Sequence, residues 1–120
     1  MDSSFLTSFL QQENNVDAAF LFGSYGRGDT HTESDVDVGV LYKTHAQDML
    51  IAQVRSDALR HKLEEQFHLE FDVIDVEYAP SPLQYAIIQG KTLVADNLTK
   101  VHRLENAILN KMELDYRELS

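Results

Sequence analysis

Asp35 and Asp37 stand two residues apart in the run Ser34-Asp35-Val36-Asp37-Val38. On an extended strand that spacing puts both carboxylates on one face, roughly 6.5–7 Å apart at the backbone. Each raises the other's cost of ionisation unless a cation sits between them. Ligands that are all oxygen suit Mg²⁺, which prefers octahedral geometry and usually takes one or two carboxylates plus substrate phosphates. Asp-x-Asp by itself also recurs by chance, on solvent-facing edge strands with ordinary acids.

The preceding loop changes that balance. An apolar run, Phe20-Leu21-Phe22, ends in Gly23-Ser24, and ten residues separate Ser24 from Asp35. Gly23 lets the backbone approach a ligand closely. The Ser24 hydroxyl and nearby N–H groups can hydrogen-bond phosphate oxygens. Gly26 and Gly28 add freedom of φ, and Arg27 either meets phosphate or braces the loop through a carboxylate. An ordinary turn would account for the glycines, and a helix cap for Ser24. The combination of a phosphate cradle and a metal clamp on adjacent strands points to a nucleotide site. A third acid is expected on a neighbouring strand. Asp72 is the candidate, because it alternates with the apolar Phe71 and Val73; Glu70, two residues earlier on the same face, is its rival. Asp75 points the other way and reads as structural.

The elements that must position these groups alternate between helix and strand. Ser3 to Glu13 reads as a helix, with Phe5, Leu6, Phe9 and Leu10 at helical spacing. Val16 to Phe22 reads as a strand buried on both faces. Ser34 to Tyr42 has period two, with Asp35, Asp37, Gly39 and Leu41 on one face and Val36, Val38, Val40 and Tyr42 on the other. Thr44 with Gln47 suggests a capping box for a long helix to about Phe67. Its expected core contacts are Leu50, Ile51, Val54, Ala58, Leu59 and Leu63, with Arg55, Arg60, Lys62 and Glu64 in solvent. His68 to Glu77 is a third strand. Ser81-Pro82 starts a short helix over Leu83 to Gln89, closed by Gly90. Lys91 to Ala95 is a fourth strand, and Asp96 to Leu119 a final helix carrying Leu98, Val101, Leu104 or Glu105, Ile108, Met112 and Tyr116 along its stripe. The expected fold is α/β (α+β): a mixed sheet of about four strands with flanking helices.

Length and composition bound the rest. At 120 residues the expectation is a single domain over 1–120, with a core at about 16–95 and a C-terminal helix at about 96–119. There is no cysteine, so disulfides and thiolate metal sites are excluded, which fits a reducing cytoplasm. The N-terminal residues lack the basic run of a signal peptide. No apolar run approaches the ~18 residues of a membrane helix, so neither export nor a membrane is expected. A formal net charge of -10 argues against direct nucleic-acid binding, which needs a basic stripe. It leaves room for a basic partner or for bound metal ions. The five histidines show no paired metal spacing; His31 alone lies near the proposed site.

The Gly23-Ser24, ten-residue, Asp35-x-Asp37 spacing resembles the signature of the nucleotidyltransferase superfamily that includes DNA polymerase beta. More narrowly, it resembles the minimal nucleotidyltransferase (MNT) antitoxins paired with HEPN-domain ribonuclease toxins. Phe71-Asp72-Val73-Ile74 matches the superfamily's pattern around its third acid. The resemblance covers about residues 16 to 95. It implies a polymerase beta-like nucleotidyltransferase fold in which Asp35 and Asp37 bind two Mg²⁺ ions. Asp72 would complete the metal nearer the attacking hydroxyl, and Gly23, Ser24 and Arg27 would serve the nucleotide. It further implies transfer of AMP from ATP to a tyrosine hydroxyl of the HEPN toxin, blocking its RNase site, within a hetero-oligomer of the two proteins.

Two other functions stay open at this point. The chain could neutralise a partner by binding alone, or it could be a small-molecule nucleotidyltransferase of the aminoglycoside type. The lack of a separate acceptor-gripping domain argues against the latter. The final helix either docks a partner or closes the core. Tyr25, inside the cradle loop, stacks on a base, accepts AMP itself or only packs.

Overall fold

The computed structural model describes residues 3–23 and 36–119 of the chain. The order is α1 (Ser3–Gln11), β1 (Val16–Phe22), β2 (Val36–Tyr42), α2 (Met49–Phe67), β3 (Phe71–Asp75), α3 (Ser81–Ile88), β4 (Lys91–Ala95) and α4 (Leu98–Leu119). The strands form one mixed sheet in the order β3-β2-β1-β4. β1 runs antiparallel to both β2 and β4, while β2 and β3 are parallel. That parallel pair needs a crossover, and α2 supplies it.

Helices cover both faces, so the central strands are buried throughout. All seven residues of β1 are buried. On one face Leu6 and Leu10 of α1 and Leu59 and Leu63 of α2 pack against Val36, Val38, Val40 and Tyr42. On the other, Ile87 of α3 and Val101 and Ile108 of α4 pack against Ala18, Phe20, Phe22 and Leu41. The period of two along β2 is therefore realised as expected among the described residues. Gly39 sits under α3: a Cβ there would stand 3.1 Å from Cγ1 of Ile87, so the missing side chain is what lets α3 lie close to the sheet.

α4 is pinned as well as packed. Lys100 Nζ donates to Asp17 Oδ2 and to the Tyr42 carbonyl, both at 2.8 Å, and to the Lys43 carbonyl at 3.0 Å. Asn97 accepts the Lys100 N–H through its side chain and caps the helix. With Val101 and Ile108 buried, α4 closes the core.

Three local expectations give way. β3 is shorter than His68 to Glu77. His68 takes φ 56 as the left-handed cap of α2, and Val76–Tyr78 is a 3-10 turn that buries Val76 against the α3 side. α2 is capped by Asp48, which accepts the Ile51 N–H at 2.9 Å, rather than by a Thr44–Gln47 box. α3 begins at Ser81, one residue after the cap Pro80, with no side-chain cap bond.

The face of α2 also differs. Ala52, Ser56, Leu59 and Leu63 point inward, while Leu50, Ile51 and Val54 are exposed. Arg55, expected in solvent, lies over the Tyr42 ring, 3.9 Å from its centroid. It donates from Nε to Asp75 Oδ2 at 3.0 Å and from Nη1 to the Thr44 carbonyl at 2.7 Å. Ser56 meets the Tyr42 hydroxyl at 3.1 Å. These polar anchors rotate α2 so that its polar residues reach the sheet and several apolar ones do not.

Candidate functional site

The site is built where β1 ends and β2 and β3 begin. Phe22 of β1 pairs with Asp37 of β2, and Asp37 pairs with Asp72 of β3. Adjacent strands lie about 4.8 Å apart, so the two aspartates are immediate cross-strand neighbours. Both occupy the α3 side of the sheet, in alternation with the buried Val36, Val38, Phe71 and Val73. Asp37 is half-buried and Asp72 exposed. Like charges directly opposite each other are destabilising, where a complementary pair would contribute about 0.2–1 kcal/mol. A cation between the two carboxylates would relieve that repulsion.

Gly23 completes the arrangement from β1. It has φ +68, in the left-handed region that glycine enters without cost. A Cβ built there would stand 3.2 Å from Cγ of Asp37 and closer still to its Oδ2. The space beside the Asp37 carboxylate is thus kept free of any side chain from β1. Two carboxylates with an all-oxygen donor set suit a bound cation better than a packed core.

The other acids separate cleanly. Asp75 lies on the opposite face, buried, and its carboxylate is taken by Arg55 and by the Glu77 N–H at 3.3 Å. It is structural, as its alternation in the sequence suggested. Glu70 stands just before β3 and its carbonyl accepts the Val36 N–H at 2.9 Å. The residue in register with Asp37 is Asp72. Asp35, Ser24 and Arg27, like Tyr25 and His31, lie outside the described residues. Among the described residues no group of three His, Asp or Glu side chains gathers into a metal cluster.

A cleft of about 230 Å³ opens beside Asp72, between the first turns of α2 and the Pro80–Leu83 segment, with β3 as its floor. Sequence reasoning missed it. Its α2 wall is Met49, Ala52, Gln53 and Ser56, none of which had been expected to face the sheet.

The polymerase beta nucleotidyltransferase family matches residues 5–99. The chain belongs to this family. Its sheet order and crossover are those of a nucleotidyltransferase domain, as solved structures bear out. A toxin–antitoxin structure containing AMP-PNP superposes with a TM-score of 0.78 at 20% identity, covering 98% of this chain and 92% of that one. A structure of the tri-AMPylated Shewanella oneidensis HEPN toxin with its MNT antitoxin superposes at 0.69 and 18% identity, covering 97% and 88%. Among curated proteins, the protein adenylyltransferase MntA of Shewanella oneidensis is 37% identical over 75 residues, or 62% of this chain. The chain spans half the length of that curated relative. No helix among the described residues is long and apolar enough to cross a membrane.

Proposed function

We propose that the chain is a protein adenylyltransferase that acts as an antitoxin, moving AMP from ATP to a tyrosine hydroxyl of a HEPN-domain toxin. The observation that carries this reading is the Asp37–Asp72 pair, in register beside Gly23. Family membership and the likeness to an adenylyltransferase antitoxin support it. So does the acidity of the chain, which suits a basic protein partner better than nucleic acid. The proposed setting is the cytoplasm, in a complex with the toxin.

Asp37 and Asp72, with Asp35 from the same stretch, would hold two Mg²⁺ ions, and Gly23, Ser24 and Arg27 would serve the phosphates. When bound, such ions neutralise the triphosphate and stabilise the attacking and leaving oxygens. The chain's own residues do the rest. Gly23, having no side chain, leaves room for the Asp37 carboxylate itself. Asp72, exposed at the rim, stands where an incoming acceptor can reach it and takes the hydroxyl proton, passing it on to water. The bond between the tyrosine oxygen and the α-phosphorus forms as the bond from that phosphorus to pyrophosphate breaks.

Label position tests this. With the HEPN partner and Mg²⁺, ATP labelled at the α-phosphate is expected to label the partner, and ATP labelled at the γ-phosphate is not. Transfer of the γ label would make the chain a kinase, and transfer of neither would leave it an inhibitor by contact.

A further inference from the structure

β3 has five residues, Phe71–Asp75, and lies at the edge of the sheet. Among the described strands β2 alone pairs with it. Its position therefore depends on few bonds. The Val36 N–H donates to the Glu70 carbonyl at 2.9 Å, and Val36 is the register partner of Phe71. In a parallel ladder this leaves the Phe71 N–H on the side away from β2. Phe71 is buried, so that donor needs a partner within the protein. Glu64 Oε2 accepts it at 3.0 Å.

Glu64 stands in the last turn of α2 and is half-buried, where a solvent-facing side chain was expected. Its backbone carbonyl accepts the His68 N–H at 2.9 Å, the bond that closes α2 at its left-handed cap. One residue thus holds both ends of the connection 68–70, the helix end through its backbone and the strand start through its side chain. The other carboxylate oxygen, Oε1, accepts from Arg60 Nη1 at 2.9 Å. Arg60 lies one turn back on the same helix and limits how Glu64 can turn. The Phe71 ring packs against Phe67, with centroids 6.0 Å apart, which sets how deep β3 sits. A hydrogen bond is directional, so the Glu64 contact sets where the backbone lies within the sheet.

Asp72 follows Phe71 directly and pairs with Asp37. Mg²⁺ tolerates little error in its ligands, demanding near-octahedral geometry at about 2.0–2.1 Å. We propose that Glu64 is a positioning residue for the carboxylate pair: by holding the Phe71 N–H it sets Asp72 against Asp37. This rests on the adenylyltransferase reading above and adds a residue outside the site that the reaction depends on. Glu64 acts through the backbone of Phe71, from α2, and not as a metal ligand.

Two readouts test this: amide hydrogen exchange in the Mg²⁺-free protein, and the Mg²⁺ dependence of AMP transfer to the co-expressed HEPN-domain partner. Glu64→Ala removes the acceptor. Exchange at Phe71 and Asp72 is expected to speed up about tenfold or more. The Mg²⁺ concentration for half-maximal transfer should rise about 10–100-fold, the range for a lost residue that orients metal ligands. KM for the partner should hold. Glu64→Gln keeps an oxygen acceptor and loses only the charge shared with Arg60, so it should restore both readouts toward wild type. Asp48→Ala removes a bond of the same kind, side chain to backbone N–H, at the other end of α2. It should lower the melting temperature and leave both readouts unchanged. Glu64→Asp, which withdraws the carboxylate by one methylene, should move both readouts in the same direction as Glu64→Ala and carries the test if Glu64→Ala fails to fold. A wild-type Mg²⁺ dependence in Glu64→Ala or Glu64→Asp, no rescue by Glu64→Gln, or an equal shift in Asp48→Ala overturns the positioning role and leaves the adenylyltransferase reading intact. Absence of transfer by the wild-type protein overturns both.

Discussion

The Asp37 carboxylate occupies the space where a side chain at Gly23 would begin. Two adjacent strands thus meet through a glycine and an acid, the first at φ +68 and the second in register with Asp72. Gly23→Ala is expected to be an activity variant more than a folding variant. The atom displaced is the end of a side chain, so the fold can yield, and the left-handed backbone costs about 1–2 kcal/mol. Thermal denaturation should show that modest loss. AMP transfer should fall far more steeply, because Asp37 has been moved.

Asp37→Asn and Asp72→Asn separate activity from stability in the opposite sense to a core change. Asp72→Asn removes one of two like charges on neighbouring strands, so its melting temperature should stay level or rise. Transfer should drop on the order of 10²–10⁴-fold, the range for a lost catalytic acid or base. Glu70→Gln, changed one step outside the register, should leave most of the activity. If Glu70→Gln is the more damaging change, the roles of Glu70 and Asp72 are exchanged.

Asp75→Asn should do the reverse. Asp75 is buried and holds Arg55, which in turn lies over Tyr42. Removing one partner of a buried pair leaves the other uncompensated, at a cost of about 3 kcal/mol or more. Urea titration should register that loss, while Mg·ATP affinity should be unchanged, since Asp75 faces the opposite side of the sheet.

How far the sequence could be read follows from the same residues. Strand alternation made the faces of β2 and β3 legible, because a period of two allows only two assignments and Val36, Val38, Phe71 and Val73 mark the inner one. That Asp72 faces the same side as Asp37 was expected for the same reason, whereas the register that sets the two side by side is a property of the sheet that no sequence period shows. α2 was not legible. Its apolar residues lie all around the helix, and the inward face is chosen by Tyr42 and Asp75, which hold Ser56 and Arg55 from other elements. The length of β3 was overestimated because the apolar alternation runs on through Val76, whereas Asp75 accepts the Glu77 N–H and turns the chain. Ser24, Arg27 and Asp35, which carry much of the motif, lie outside the described residues and remain proposals from the motif.

Tyr42 gives an alkaline test of the network around α2. Burial raises its phenol above the ordinary value of 10.0, with the Asp75 charge adding to the rise and Ser56 and Arg55 opposing it. The folded state therefore holds the proton more tightly than the unfolded chain. Stability from this group is whole below about pH 10 and is lost as pH climbs through the raised value. Tyr42→Phe should cost about 1 kcal/mol at neutral pH through the lost Ser56 bond. It should also flatten the decline in the urea midpoint between neutral pH and about pH 10.5. An unchanged alkaline slope would assign that decline to other groups.

The central claim is that this chain adds AMP to a partner protein through Asp37 and Asp72. Intact mass of the HEPN-domain partner, after incubation with the chain, ATP and Mg²⁺, tests it most directly. The account expects one or more AMP-sized increments on the partner with wild-type protein and none with Asp37→Asn. A partner that is bound and silenced at unchanged mass, or one that gains the increment equally with Asp37→Asn, would contradict it.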